Sequence, residues 1–145
     1  MSRRYLLAAG CGCAMLLLLA AVAVPSQTPE QGADVSAPIP DAARARRNPQ
    51  PASPESISNG KMVFSSQCTM CHGTKGDGQG DLVSRLKLTI PDFTDPGHQG
   101  SRTDGELFYI LTHGHGRMRG EGDRLSDEIK WNLVNYIRSL SRTGG

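Results

Sequence analysis

The run Cys68-Thr69-Met70-Cys71-His72 puts two thiols and an imidazole within five residues. Cysteines three positions apart share one side of a helical turn. They are then close enough to form thioethers with the two vinyl groups of one porphyrin. His72, next in sequence, offers a ring nitrogen to the iron from the same side. This C-x-x-C-H spacing is the attachment pattern of a c-type haem. Two other chemistries use a C-x-x-C pair, and both lack their second half here. A zinc site needs another C-x-x-C or a His-x₃₋₅-His pair, and His113 and His115 are only two apart. A redox dithiol needs a βαβ setting, for which there is no pattern.

An iron held on one side by His72 needs a sixth ligand or an open position. Met118 is the first candidate. It stands in a polar, glycine-rich loop, where a methionine has little packing to do, and follows His72 by 46 residues. Met62 and Met70 are too near the attachment motif to reach the opposite face, and Met15 lies in an apolar N-terminal run. His113 or His115 would give bis-His ligation instead, and an open site is the third choice. Two filled positions suit electron transfer, because no site is free for substrate. An open or labile position would suit an enzyme such as a peroxidase, or a small-ligand sensor.

The elements that must position these groups are helical. Ser53 followed by Pro54 is a helix start, and Ile57, Gly60, Phe64, Cys68 and Cys71 recur on one face after it. Gly73 to Gly80 is a glycine-rich loop. Leu82 to Leu88 reads as a short helix ending before Pro91, and Pro91 to Arg102 reads as a loop in which His98 is a surface residue. Thr103-Asp104-Gly105-Glu106 is a capping box opening a helix with Leu107, Phe108, Ile110 and Leu111. Ser126 caps a last helix, with Asp127 and Glu128 in its first turn and Ile129, Leu133, Tyr136, Ile137 and Leu140 on its apolar face. Trp131 lies off that face, toward the Leu107 helix. No strand pattern stands out. The expected fold is all-α, with three main helices, or up to five counting short ones, around one haem.

The rest of the chain sets context. From Glu55 onward there are four Lys and seven Arg against seven Asp and four Glu, with no basic run, which argues against nucleic acid as a partner. Residues 1–24 begin with Arg3 and Arg4 and continue into an uncharged apolar stretch, residues 5–24. This has the form of a secretory signal or an uncleaved membrane anchor, with the length of the run leaning toward the anchor. Cys11 and Cys13 fall inside it as small apolar fillers. Residues 25–54, rich in Pro, Ala, Ser and Gln, read as a flexible linker in which Asp41 to Arg47 could form one turn that nothing would hold. Residues 55–145 read as the folded domain.

From about residue 55 to 141 the chain resembles the class I mono-haem cytochromes c, in their bacterial, exported form. Gly60 and Phe64 match that family's N-terminal helix, Leu133 and Tyr136 its C-terminal helix, and Gly60 is then a site of close helix approach. Cys71-His72-Gly73 with Gly76-Asp77-Gly78-Gln79-Gly80 is similar to its C-x-x-C-H-G-x-x-G-x-G-x-G pattern, and Pro91-Asp92-Phe93 to its Pro-Asp-aromatic segment. The resemblance implies one covalent haem c and single-electron transfer. It also implies a Pro91 carbonyl that orients His72 through its second ring nitrogen. Redox proteins would be the partners, docking through small interfaces, on the periplasmic side of the bacterial cytoplasmic membrane. One departure is plain: the family's axial Met is commonly followed by Pro, and here Arg117 and Arg119 flank Met118, so the loop lacks that source of rigidity.

Overall fold

The computed structural model describes residues 38–141. In chain order the elements are α1 (Asp41–Arg44), α2 (Pro54–Gln67), α3 (Thr69–His72), α4 (Asp81–Leu86), α5 (Pro96–Gly100), α6 (Asp104–His113), β1 (Gly114–His115), β2 (Met118–Arg119), a 3-10 turn (Gly122–Arg124) and α7 (Asp127–Leu140).

The three long helices start where capping chemistry places them. Ser53 Oγ accepts from the Ser56 N–H at 3.1 Å, and Pro54 opens α2 with a φ already suited to a helix. At α6 the Thr103 hydroxyl accepts from the Glu106 N–H at 3.2 Å, and the Thr103 N–H donates to the Glu106 carboxylate at 2.7 Å. Ser126 caps α7 by accepting from the Ile129 N–H.

α2 crosses α7 at Gly60. A Cβ there would collide with the Asn132 carbonyl and lie 2.8 Å from Tyr136 Cβ, so only a residue without a side chain fits. One turn later the Phe64 and Tyr136 rings meet at 5.2 Å. α6 joins α7 through Phe108 and Trp131, stacked at 4.1 Å. Phe64, Trp131, Leu133 and Val134 are fully buried. Each such side chain contributes about 1.5–3 kcal/mol, so these three helices hold the frame together.

Three features differ from the sequence expectation. First, among the described residues there are seven α-helices; the excess comes from α1, α3 and α5, each only four or five residues long. α5 forms inside the expected Pro91–Arg102 loop because Asp95 accepts from the Gly97 and His98 N–H groups, with Pro96 at the first helical position. Second, β1 and β2 pair antiparallel, Gly114 opposite Arg119 and His115 opposite Met118. Two residues per strand are too few to show a period.

Third, Asp41 to Arg47 is held, and the packed unit begins well before Ser53. The Thr103 hydroxyl donates to the Arg44 carbonyl at 2.9 Å, and Arg44 pairs with the buried Glu106 at 3.2 Å. The Arg46 guanidinium lies 4.2 Å over the Phe108 ring. Asn135 donates to the carbonyls of Gln50 and Pro51 and to Ser56 Oγ, and accepts from Asn48 at 2.9 Å. The later part of the expected 25–54 linker is thus a strap along α6 and α7, fixed by polar side chains rather than by an apolar face. The expected signal or anchor, residues 1–24, lies outside the described residues. Among the described residues no helix is long and apolar enough to cross a membrane.

Candidate haem site

α3 follows α2 without a loop, and Cys68 is the hinge between them. Its N–H donates to the Phe64 carbonyl at 2.9 Å, ending α2, and its own carbonyl accepts from Cys71 at 3.2 Å and His72 at 2.9 Å, starting α3. Cys68 and Cys71 therefore sit one tight turn apart, half-buried and as free thiols. Gly73 stops the turn at φ +77°, a conformation that favours glycine.

The glycine loop then folds back on the motif. The Gly78 N–H donates to the His72 carbonyl at 2.9 Å, and the Phe93 N–H donates to the Gly76 carbonyl at 2.8 Å. A Cβ at Gly78 would lie 2.7 Å from the Ile90 carbonyl oxygen and 3.1 Å from that of Pro91, so the loop must be bare for residues 90–93 to come in. The result is that Phe93 stacks on the His72 ring, centroids 4.9 Å apart and planes 16° from parallel.

Cys68, His72 and Met118 line one cleft, walled by apolar side chains including Phe64, Leu107 and Leu133. The structure brings Met118 to this cleft from the hairpin. His113 and His115 do not line it: His113 is exposed, with its ring 4.3 Å from Tyr109. Pro91 stands beside Gly78, but its carbonyl does not receive the His72 proton here. His72 Nδ1 is buried without a hydrogen-bond partner. Trp131 belongs to the α6–α7 contact, and Asp77 and Asp92 close loop turns through Gln79 and Thr94.

The electrostatics suit neutral ligands. Burial holds His72 below its ordinary value, so the imidazole stays uncharged with a lone pair to give. Burial, with Glu121 and then Cys71 adding to it, pushes the Cys68 thiol up to about 11. Dithiol exchange needs a thiolate, which this environment opposes at Cys68. Nor do three or more Cys, His, Asp or Glu side chains gather for a metal among the described residues. Glu121, whose charge reaches Cys68, was not legible as a neighbour of the motif, since only the hairpin carries it there. Two thiols on one turn, a neutral imidazole with an orphaned nitrogen, apolar walls and a thioether on the same cleft fit a covalently bound haem.

Comparison with known proteins agrees. Residues 55–137 match the family described as cytochrome c oxidase, cbb3-type, subunit III. The cytochrome c6 of Bumilleriopsis filiformis is 28% identical over 88 residues, covering 61% of this chain and 95% of the relative. The thiosulfate dehydrogenase of Stutzerimonas stutzeri (strain A1501) is 30% identical over 96 residues, 65% of this chain but only 30% of that enzyme. Among solved structures, a chain of the reducing HAO-like protein complex of Kuenenia stuttgartiensis superposes with a TM-score of 0.55 at 26% identity, covering 79% of this chain and 52% of that one.

Proposed function

This chain belongs to the family of the cbb3-type cytochrome c oxidase subunit III domain, as a mono-haem c-type cytochrome with covalently bound haem c, and on that premise we propose a single-electron carrier whose iron is held between His72 and Met118. The observation that carries the reading is the convergence of Cys68, His72 and Met118 on one apolar cleft. Haem c, when bound, supplies a one-electron ferric–ferrous couple. Cys68 and Cys71 fix its position covalently. His72 binds as a neutral imidazole, and the orphaned Nδ1 calls for an acceptor, a role in which we place the nearby Pro91 carbonyl. Phe64, Leu107 and Leu133 exclude water, which disfavours the more charged ferric state. The Met118 thioether, a soft ligand, works in the same direction, toward a higher potential.

Partners would be redox proteins. Arg117 donates to the Leu86 carbonyl at 3.0 Å, which sets the hairpin tip against the end of α4. Arg85, Lys87, Arg117 and Arg119 are thereby gathered, all exposed, next to the Met118 loop. Such a patch steers an acidic partner toward the cleft. The basic start and apolar run of residues 1–24 support export to the periplasmic side of the membrane, with residues 5–24 as the anchor. A second reading, a haem subunit of a larger dehydrogenase or oxidase, is favoured by the likeness to parts of a thiosulfate dehydrogenase and of a multi-chain complex.

Replacing Met118 by Ala tests the ligand set. The ferric protein should lose the weak long-wavelength band of Met–iron ligation, its potential should fall, and the ferrous form should bind carbon monoxide. A band that survives Met118→Ala would refute Met118 as the ligand in favour of another methionine, and a wild-type protein without the band would bring His113, His115 and the open-site enzyme reading to the front.

A further inference from the structure

A thioether is a weak, neutral ligand, and a sulfur on a loose loop holds metal poorly. Ordering a loop's backbone costs conformational entropy, and in this chain no proline follows Met118 to reduce that cost. We propose that the hairpin Gly114–Arg119 is a clamp that presents the Met118 sulfur to the cleft, with Gly114 and Gly120 as its positioning residues; this rests on Met118 being the sixth ligand.

Four observations build the clamp. His115 and Met118 face each other across a two-residue turn whose first residue, Gly116, has φ +57°. A primed turn of this sort matches the twist of the paired strands and fixes their register. With the register fixed, Met118 cannot slip by one position, a slip that would turn its side chain to the opposite face.

Gly114 and Gly120 let the strands and the end of α6 nest backbone against backbone. A Cβ at Gly114, where φ is +86°, would lie 2.5 Å from the Met118 carbonyl oxygen and 2.8 Å from the Gly120 nitrogen. A Cβ at Gly120 would collide with the Thr112 carbonyl oxygen and lie 2.6 Å from the Gly114 nitrogen. All these neighbours are main chain, so neither clash is relieved by a rotamer change.

Both ends of the hairpin are tied to helices. The Glu121 N–H donates to the Leu111 carbonyl at 2.7 Å, holding the exit strand to α6. Leu111 lines the same cleft as Met118. At the tip, Arg117 holds the end of α4. Met118 is thus suspended between α6 and α4, with the ladder between them as the rigid part. Gly114 and Gly120 do not line the cleft; they act through the main chain that carries Met118.

The test uses the holoprotein in four forms: wild type, Gly114→Ala, Gly120→Ala and Met118→Ala. The readouts are the Met–iron band, the reduction potential and the ferric affinity for imidazole, which competes with Met118. The expected result is that both glycine variants keep covalent haem but weaken the band, lower the potential and bind imidazole about tenfold more tightly or better, since the ligated state is less populated. Wild-type values for both glycine variants, beside a Met118→Ala that loses the band, would overturn the clamp and leave the ligand assignment standing. A Met118→Ala that keeps the band would overturn both. Should neither glycine variant mature, amide hydrogen exchange on the wild type decides: the Glu121 N–H should exchange as slowly as the interior amides of α6, and fast exchange would overturn the proposal.

Discussion

Replacing Gly60 by Ala tests the helix crossing that frames the haem cleft. The new Cβ would strike the Asn132 carbonyl oxygen and stand 2.7 Å from its carbon and 2.8 Å from Tyr136 Cβ. Two of these atoms are α7 backbone and the third is fixed to it. α2 and α7 must therefore separate by roughly 1 Å, and a gap of that size forfeits a quarter to a half of each contact along the crossing. Overpacking costs about 1–3 kcal/mol, and the upper end applies because main chain has to move. Ala regains about 1 kcal/mol over Gly in a helix interior. The net loss is about 2 kcal/mol, a fall in Tm of roughly 8–16 °C for a domain of this size. Thermal unfolding of the holoprotein, followed by circular dichroism, measures it. Gly100→Ala is the control, because nothing lies within 4 Å of its Cβ position; it should shift stability by less than about 1 kcal/mol. A Gly60→Ala protein as stable as wild type would refute the crossing described here.

Asn135→Ala removes the donor shared by the Gln50 and Pro51 carbonyls and Ser56 Oγ. It should cost about 3 kcal/mol in urea unfolding and expose the strap to protease before Ser53. Replacing Arg85, Lys87, Arg117 and Arg119 by Gln should slow electron exchange with ferricyanide about tenfold at low salt, with the difference vanishing at high ionic strength; stopped-flow rates check this. Asp127 is held below its ordinary 3.8 by a hydrogen bond from Lys130 and by the charges of Lys130 and Arg46. A depressed folded value means the stabilisation is complete above 3.8 and is lost as pH falls through the folded value. The Tm gap between wild type and Asp127→Asn should therefore be present near neutrality and close on acidification.

The haem motif and the frame were legible in the sequence because each is written in local chemistry. Ser53, Thr103 and Ser126 cap their helices through contacts three residues away, and the Phe64 and Leu133 faces follow helical periods. The attachment motif is legible because thioether geometry demands its spacing. The role of Gly60 was legible through the resemblance to the cytochrome c N-terminal helix, whose glycine marks a close helix approach. The strap was not, since Asn48 bonds to Asn135 and Arg46 lies over the Trp131 ring, each across more than 80 residues, and such contacts leave no periodic mark. The hairpin was hidden for a different reason: its ladder is shorter than one period of alternation, and its signal, Gly114 and Gly120 around Gly116-Arg117, looks like an ordinary polar loop.

The central claim is tested most directly by a potentiometric titration of the holoprotein followed in the visible spectrum, with a second sample washed in acid–acetone. The account predicts that colour stays with the chain, that reduction brings up c-type bands, and that a single one-electron wave describes them all. Colour that washes out, or covalent haem that shows no reversible one-electron wave, would contradict it.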